Sequence, residues 1–460
     1  MLRKFEPLLL LLVLFFLVTA GQAQSTVSSE SETLTVDQAI VLALERNPQV
    51  LASRARTDIL AGQIKEVKSQ AYPSISMHTS ALRWRDPGIL NSSSFDKLPA
   101  EFKDFLDAPA ANLFGYEVTV AQPLYTAGKV GTALQLAKLE REGVGIDVTR
   151  TEQEIKIQVV RAFYNLLLAE KQLEIVQDTV TQRERHLAMA KTRHEAGVAT
   201  QVDVLRSEVS LSNAQPDLLR AQNGIRYARS VLNHLLARRT DFPTKAAGNL
   251  SFRKVETPPL EQVVDAAFSG RPELQRLRLN EKEAEETKKL ARAESRMRAD
   301  LNGAYGFSAR EMGNLVDPNF TRWSITVNLN VPLFDGGRRD GLIEQAIANE
   351  RIVRLTRSET EDNVHLQAQT AVDEIRRADQ TVDAAQASVK EAERVLKLME
   401  ENYRYGAATT LDVQDAETAA SLARMNLFQS LFDHTVARAQ LRYVMGLDPL
   451  EKTDVQQVNP

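Results

Sequence analysis

Apolar residues recur at alternating spacings of four and three along much of this chain, and in two places the recurrence lasts for more than five heptads. In the first, Ile155, Val159, Ala162, Leu166, Ala169, Leu173, Val176, Val180, Arg183, Leu187, Ala190 and His194 mark one seam. In the second, Val364, Ala368, Ala371, Ile375, Ala378, Val382, Ala385, Val389, Ala392, Leu396, Met399 and Tyr403 mark another, each 209 residues further on. A seam of this period predicts a coiled coil, and its many alanines predict close helix approach. No proline interrupts residues 128–196, a stretch of 69. As one helix it would reach about 100 Å, which has no place inside a compact domain. Return helices are expected at 203–236 and 412–445, about half as long, with further helices at 48–71 and 272–298 covering the remainder.

A second pattern has period two. Residues 322–334 put Trp323, Ile325, Val327, Leu329 and Val331 on one face and Ser324, Thr326, Asn328 and Asn330 on the other, as a strand requires. Residues 116–125 alternate more weakly, and 73–84 and 299–310 are the expected partners. Strands of about ten residues with one apolar and one polar face suit a barrel with lipid outside and water inside. Trp84, Tyr116, Tyr125 and Trp323 then fall near strand ends, where interfacial aromatics belong. A pair of ordinary soluble hairpins is the other reading.

The chain is a duplicated unit. "VDQAIVLALERNPQV" (36–50) matches "LEQVVDAAFSGRPEL" (260–274) at an offset of 224, while "QPLYTAGK" (122–129) matches "VPLFDGGR" (331–338) at 209. The first copy therefore carries an insertion of 15 residues, expected as loop within 83–115. The organisation that follows is a signal peptide (1–23), a polar tail (24–33), repeat 1 (34–237), a linker with three prolines (238–259), repeat 2 (260–446) and a C-terminal tail (447–460). Each repeat reads helix, strand, loop, strand, long helix, turn, helix. Asn47-Pro48 and Arg271-Pro272 look like helix starts, since proline at the first helical position lacks only an amide that would be orphaned anyway.

The first residues have a short basic start, an apolar run over 8–18 and a small-residue cut site after Ala23. That is the form of a secretory signal, the alternative being a retained anchor. Nothing later approaches the roughly 18–20 apolar residues of a helical span. There is no cysteine, so neither a disulfide nor a lipid-bearing N-terminal cysteine is available. Net charge is −4, or −5 once Arg3, Lys4 and Glu6 leave with the signal, and no basic run invites nucleic acid. His78, His186, His194, His234, His365 and His434 never fall at metal-ligand spacing. "AGKV" lacks the rest of a phosphate loop, and no Gly-x-Ser-x-Gly occurs. No enzyme and no cofactor is expected.

The candidate chemistry sits in two matching turns, "HEAGVATQVDVLRSE" (194–208) and "YRYGAATTLDVQDAE" (403–417). Gly197 and Gly406 permit the left-handed backbone that ends a helix. Thr200 and Thr409 stand three residues before Asp203 and Asp412, a capping-box spacing with Asp in place of Glu. Capping accounts for Asp203 and Asp412. It does not account for Asp415, whose counterpart is Arg206. Asp412 and Asp415 share one helix face, either as a solvated surface or as an acidic constriction that would favour cations and push carboxyl pKa values upward. Pro216 falls inside a return helix, where a kink or break is expected.

"ALERNPQV", "AYPSIS", "QPLYTAGK", "VPLFDGGR" and the two turns occur in an order that resembles the TolC-type outer-membrane efflux family, twice over and across nearly the whole chain. The second copy departs from it, reading "SRMRADL" where the first has "AYPSIS". The resemblance implies a mostly α fold with transmembrane β: duplicated long helical hairpins forming a periplasmic coiled-coil barrel. To this each chain would add four strands of a 12-stranded trimeric outer-membrane β-barrel. It implies a homotrimer in outer-membrane lipid, engaged at its helical tip by a periplasmic adaptor (membrane fusion) protein and an inner-membrane pump of RND or ABC type. The function implied is a passive exit duct for efflux or type I secretion. An exported, non-conducting coiled-coil spacer is the alternative that the seams alone would also allow. The resemblance assigns a periplasmic selectivity ring to Asp412 and Asp415, and adaptor contact to the tips at Gly197, Thr200, Gly406 and Thr409. It also implies that Tyr403 ties one hairpin to the other, through Asp203, to hold the gate. The family's closing arginine is absent here, Ala408 taking its place.

Overall fold

The computed structural model describes residues 32–84, 99, 111–254 and 256–450. The expected signal peptide, most of the polar tail, most of the 83–115 insertion and the last ten residues of the C-terminal tail lie outside the described residues.

The chain begins with β1 (Thr33–Leu34), α1 (Val36–Arg46) and α2 (Pro48–Ser69), followed by β2 (Ser74–Trp84) and β3 (Ala111–Tyr125). Then come the long α3 (Lys129–Glu195), its return α4 (Gln201–Leu235) and β4 (Lys245–Ala246). The second copy follows as α5 (Leu260–Gly270), α6 (Pro272–Glu294), β5 (Arg298–Ala309), β6 (Thr321–Asn330), α7 (Arg338–Arg404) and α8 (Thr410–Val444). The duplication is kept to the residue: α3 and α7 are each 67 residues long, α4 and α8 each 35. Gly128 and Gly337, with φ of 84° and 87°, precede the long helices and turn the chain out of the sheet in a conformation that costs glycine nothing.

The seams are where the helices pack. Ile155, Val159, Ala162 and Leu166 of α3 form one core with α1, α2 and α4, while Ala368, Ala371, Ile375 and Ala378 of α7 form another with Val263 of α5 and Leu441 of α8. Towards the tip, Leu396 of α7 meets Ala416 and Ala420 of α8, small residues that let the helices approach. The stripe on α3 drifts after Ala169, so that Ile175 and His186 become buried and His194 is exposed. Of the kink or break expected at Pro216, the break does not occur: α4 runs through it, since losing one backbone bond does not end a helix packed along α3 over most of its length.

The strands form one antiparallel sheet in the order β2-β3-β5-β6, joining the two copies through β3 and β5. Register places Met77, Val118, Tyr305 and Trp323 in one row and Ile75, Val120, Gly303 and Ile325 in the next. Rows alternate, so the adjacent row on the other face is His78, Glu117, Gly306 and Arg322, with Glu117 and Arg322 3.7 Å apart across the glycine. The apolar rows are exposed: Ile75, Trp323 and Ile325 keep 70% or more of their surface. β3 starts earlier than the alternation suggested, taking in residues 111–115 from the expected loop, and Arg83 and Trp84 belong to β2. Tyr116 is therefore interior to its strand and stacks on Phe307 at 5.1 Å rather than marking an end. β5 forms without the strand-opening proline of the first copy. Residues 238–259 are more than a connection, since β4 pairs in parallel with β1.

Candidate functional site

The tips of the two hairpins, α3–α4 and α7–α8, are built alike. At Gly197 (φ 75°) the amide of Gly197 donates to His194 O and that of Val198 to Arg193 O; at Gly406 (φ 77°) Gly406 donates to Tyr403 O and Ala407 to Asn402 O. Both are the paired bonds by which a left-handed residue closes a helix. Thr200 and Thr409 then open the return helices. The Asp203 carboxylate accepts from the Thr200 amide at 3.0 Å and its hydroxyl at 2.7 Å, and Asp412 accepts from Thr409 at 2.8 and 2.7 Å. These bonds favour the charged form, so both carboxyls titrate below their ordinary range, chiefly because of Thr200 for Asp203 and Thr409 for Asp412. Within one chain the cap thus sets a direction for Asp412 opposite to the expected upward push.

Asp412 and Asp415 are both exposed at the start of α8. Only this hairpin carries an acid pair, because Arg206 fills the second position in α4 and adds its charge to the groups holding Asp203 ionised.

Tyr403 is 5% exposed, wedged between the hairpins. The Thr410 hydroxyl donates to the Tyr403 hydroxyl at 3.4 Å, and Thr410 is also the last of the groups that help to hold the Asp203 carboxyl ionised. Among the described residues the Tyr403 hydroxyl pairs with Thr410 and not with Asp203. On the ring's other sides stand two residues of α3 that the sequence pattern did not single out. Arg193 donates to Tyr403 O at 2.7 Å with its guanidinium 4.5 Å from the ring centre, and the buried His186 ring lies 5.3 Å away. Burial lowers the His186 pKa, which keeps the imidazole neutral near neutrality.

A second unforeseen group is Glu417, two residues beyond Asp415 and only 4% exposed. Burial raises its pKa to about 7, opposed by Arg183 of α3 and reinforced by Glu400 of α7. The sequence held one signal for it: the equivalent pair in the first copy, Lys191 and Glu208, has opposite charges.

A duplicated pair of long helical hairpins, joined to an amphipathic sheet whose apolar face is bare, defines an outer-membrane channel of the efflux type. The family model described as "Outer membrane efflux protein" matches residues 39–238 and 263–447, and the chain belongs to that family. It is 23% identical to the outer membrane protein TolC of Vibrio cholerae, over 98% of each chain. It is 24% identical to the alkaline protease secretion protein AprF of Pseudomonas aeruginosa, covering 66% of this chain and 64% of AprF. Among solved structures, the Campylobacter jejuni CmeC outer membrane channel superposes with a TM-score of 0.78 at 15% identity, covering 91% of this chain and 88% of CmeC. The chain is thus an outer-membrane protein with periplasmic helices, a transport channel rather than an enzyme.

Proposed function

We propose that this chain is the exit duct of a tripartite efflux or type I secretion assembly, working as a homotrimer that a periplasmic adaptor and an inner-membrane pump open at the helical tips. One observation carries the reading: the sheet has a continuous apolar face, yet among the described residues β2 and β6 have no neighbour on their outer sides. Unpaired backbone groups are too costly in hydrocarbon for an open edge to sit there. Two further copies, β6 of each meeting β2 of the next, would remove every edge and give twelve strands from four per chain. The polar rows, with His78, Glu117 and Arg322, would then line a wet interior.

Asp412 and Asp415 form the periplasmic selectivity ring in this reading. Gly197, Thr200, Gly406 and Thr409 offer the tips to the adaptor, and Tyr403 with Asp203 links the hairpins. The test is the full-length protein in outer-membrane fractions and planar bilayers. A heat-modifiable trimer that conducts ions supports the duct. A monomer that never enters lipid would return the chain to the class of non-conducting spacer rods.

A further inference from the structure

Arg193 and Tyr403 lie on different hairpins, 210 residues apart in sequence, yet meet through a 2.7 Å bond to the Tyr403 carbonyl and a 4.5 Å approach to its ring. The duplication makes this pairing informative. Both copies end the long helix with the same glycine bonds and start the return helix with the same threonine cap, so helix termination asks for no particular side chain at the neighbouring positions. Those positions have nonetheless diverged between the copies: Arg193 against Asn402, His194 against Tyr403, His186 against Val395 and Gln201 against Thr410. The arginine and histidine stand on one hairpin, and the tyrosine that meets them stands on the other.

The energetics favour a cation at this spot. Tyr403 O is among the last carbonyls of α7, where the helix dipole is negative, and a charged donor there gains more than a neutral one. The ring face adds a cation–π attraction. Ala408, where the resembling family places its closing arginine, supplies neither a donor nor a charge.

Resting on the reading of these tips as a channel gate, the geometry points to Arg193 as the positioning residue that holds the second hairpin closed against the first. It acts through the carbonyl and ring of Tyr403, with His186 backing the ring. The arginine thus reaches across the gap from the first hairpin to the second.

The experiment is single-channel recording from the purified full-length protein in planar bilayers, with Arg193→Ala, Arg193→Lys, Tyr403→Ala and the double variant Arg193→Ala/Tyr403→Ala. Arg193→Ala is expected to raise mean conductance by about two-fold or more as the constriction widens. Lysine, which keeps the charge but loses the fork, recovers most of the closure. The double variant conducts no more than the more open single one, as expected for two ends of one contact. Arg193→Met, which keeps the stem without charge or donors, carries the same expectation if the alanine chain fails to assemble. Wild-type conductance in the alanine and methionine channels, or additive effects in the double variant, overturns the latch while leaving the duct intact. A wild-type protein that neither assembles nor conducts removes the duct itself, and the latch with it.

Discussion

Lys191 and Glu208 close an ion pair at 3.1 Å between α3 and α4, whereas the residues at the same two places in the second hairpin, Glu400 and Glu417, are both acids. One hairpin is fastened near its tip by opposite charges, and its copy carries a like-charge pair there, with one member buried.

The buried member gives the second hairpin a pH dependence. Glu417 faces Arg183 from α3 and Glu400 from α7, and its folded pKa stands at about 7 against an ordinary 4.5. A carboxyl whose pKa is raised on folding binds more protons when folded, so its stability is complete below about 4.5 and is lost as pH rises through about 7. The full swing is on the order of 3 kcal/mol. Protection of the α8 amides, taken relative to their intrinsic exchange rate at each pH, should therefore be markedly higher at pH 5 than at pH 8, and Glu417→Gln should flatten the difference. An equal pH dependence in the glutamine variant would show that Glu417 is not its source.

Restoring the first hairpin's chemistry to the second gives an independent check. Glu400→Lys places an ammonium where Lys191 stands in the other copy. The new pair should stabilise the tip by about 1 kcal/mol and draw the Glu417 pKa downward, removing much of the change between pH 5 and 8. Limited proteolysis of the second hairpin at pH 8 should slow. Faster cleavage would mean that the site cannot accept the lysine stem.

Much of this architecture was legible in the chain because it repeats. The 209-residue offset fixed the ends of both long helices, and the seams from Val364 to Val382 became core residues. Both capping boxes were visible as Thr-x-x-Asp. What escaped depends on contacts between hairpins distant in sequence. No local pattern says that Arg193 reaches Tyr403, that Thr410 bonds the Tyr403 hydroxyl, or that Glu417 turns inward while Asp415 turns out. The early start of β3 was hidden for a different reason: Asn112 and Gly115 are poor strand formers, and only pairing with Arg83 and Ser80 makes them strand.

The two tip acids should separate by substitution. Asp412 serves both its own cap and the proposed ring, whereas Asp415 has no part in the cap bonds. Asp415→Asn should reduce cation preference, read as a shift of reversal potential in a salt gradient, without loosening the first turn of α8. Asp412→Asn should do both, the second seen as faster amide exchange near Thr410. Because Thr409 holds the Asp412 pKa below its usual value, the cation preference of the wild-type channel should persist from pH 8 to pH 5. Unaltered selectivity in both variants would move the ring elsewhere.

Two glycines in β5 test the sheet. A Cβ at Gly306 would lie 2.1 Å from Tyr116 O and 2.6 Å from the Cα of Glu117, both backbone atoms that cannot swing aside, while one at Gly303 meets nothing within 4 Å. Gly306 therefore lets β3 and β5, the strands that join the two repeats, run close enough to pair. Gly306→Ala should force them apart at a cost of about 3 kcal/mol, the upper end of ordinary overpacking, and break the row that aligns Glu117 with Arg322. Gly303→Ala, on the apolar face, should be tolerated and adds one methyl to the proposed lipid surface. The measurement is the amount of heat-modifiable trimer recovered from outer membranes, low for Gly306→Ala and near wild type for Gly303→Ala. Equal recovery from the two would mean that the β3–β5 junction carries none of the assembly.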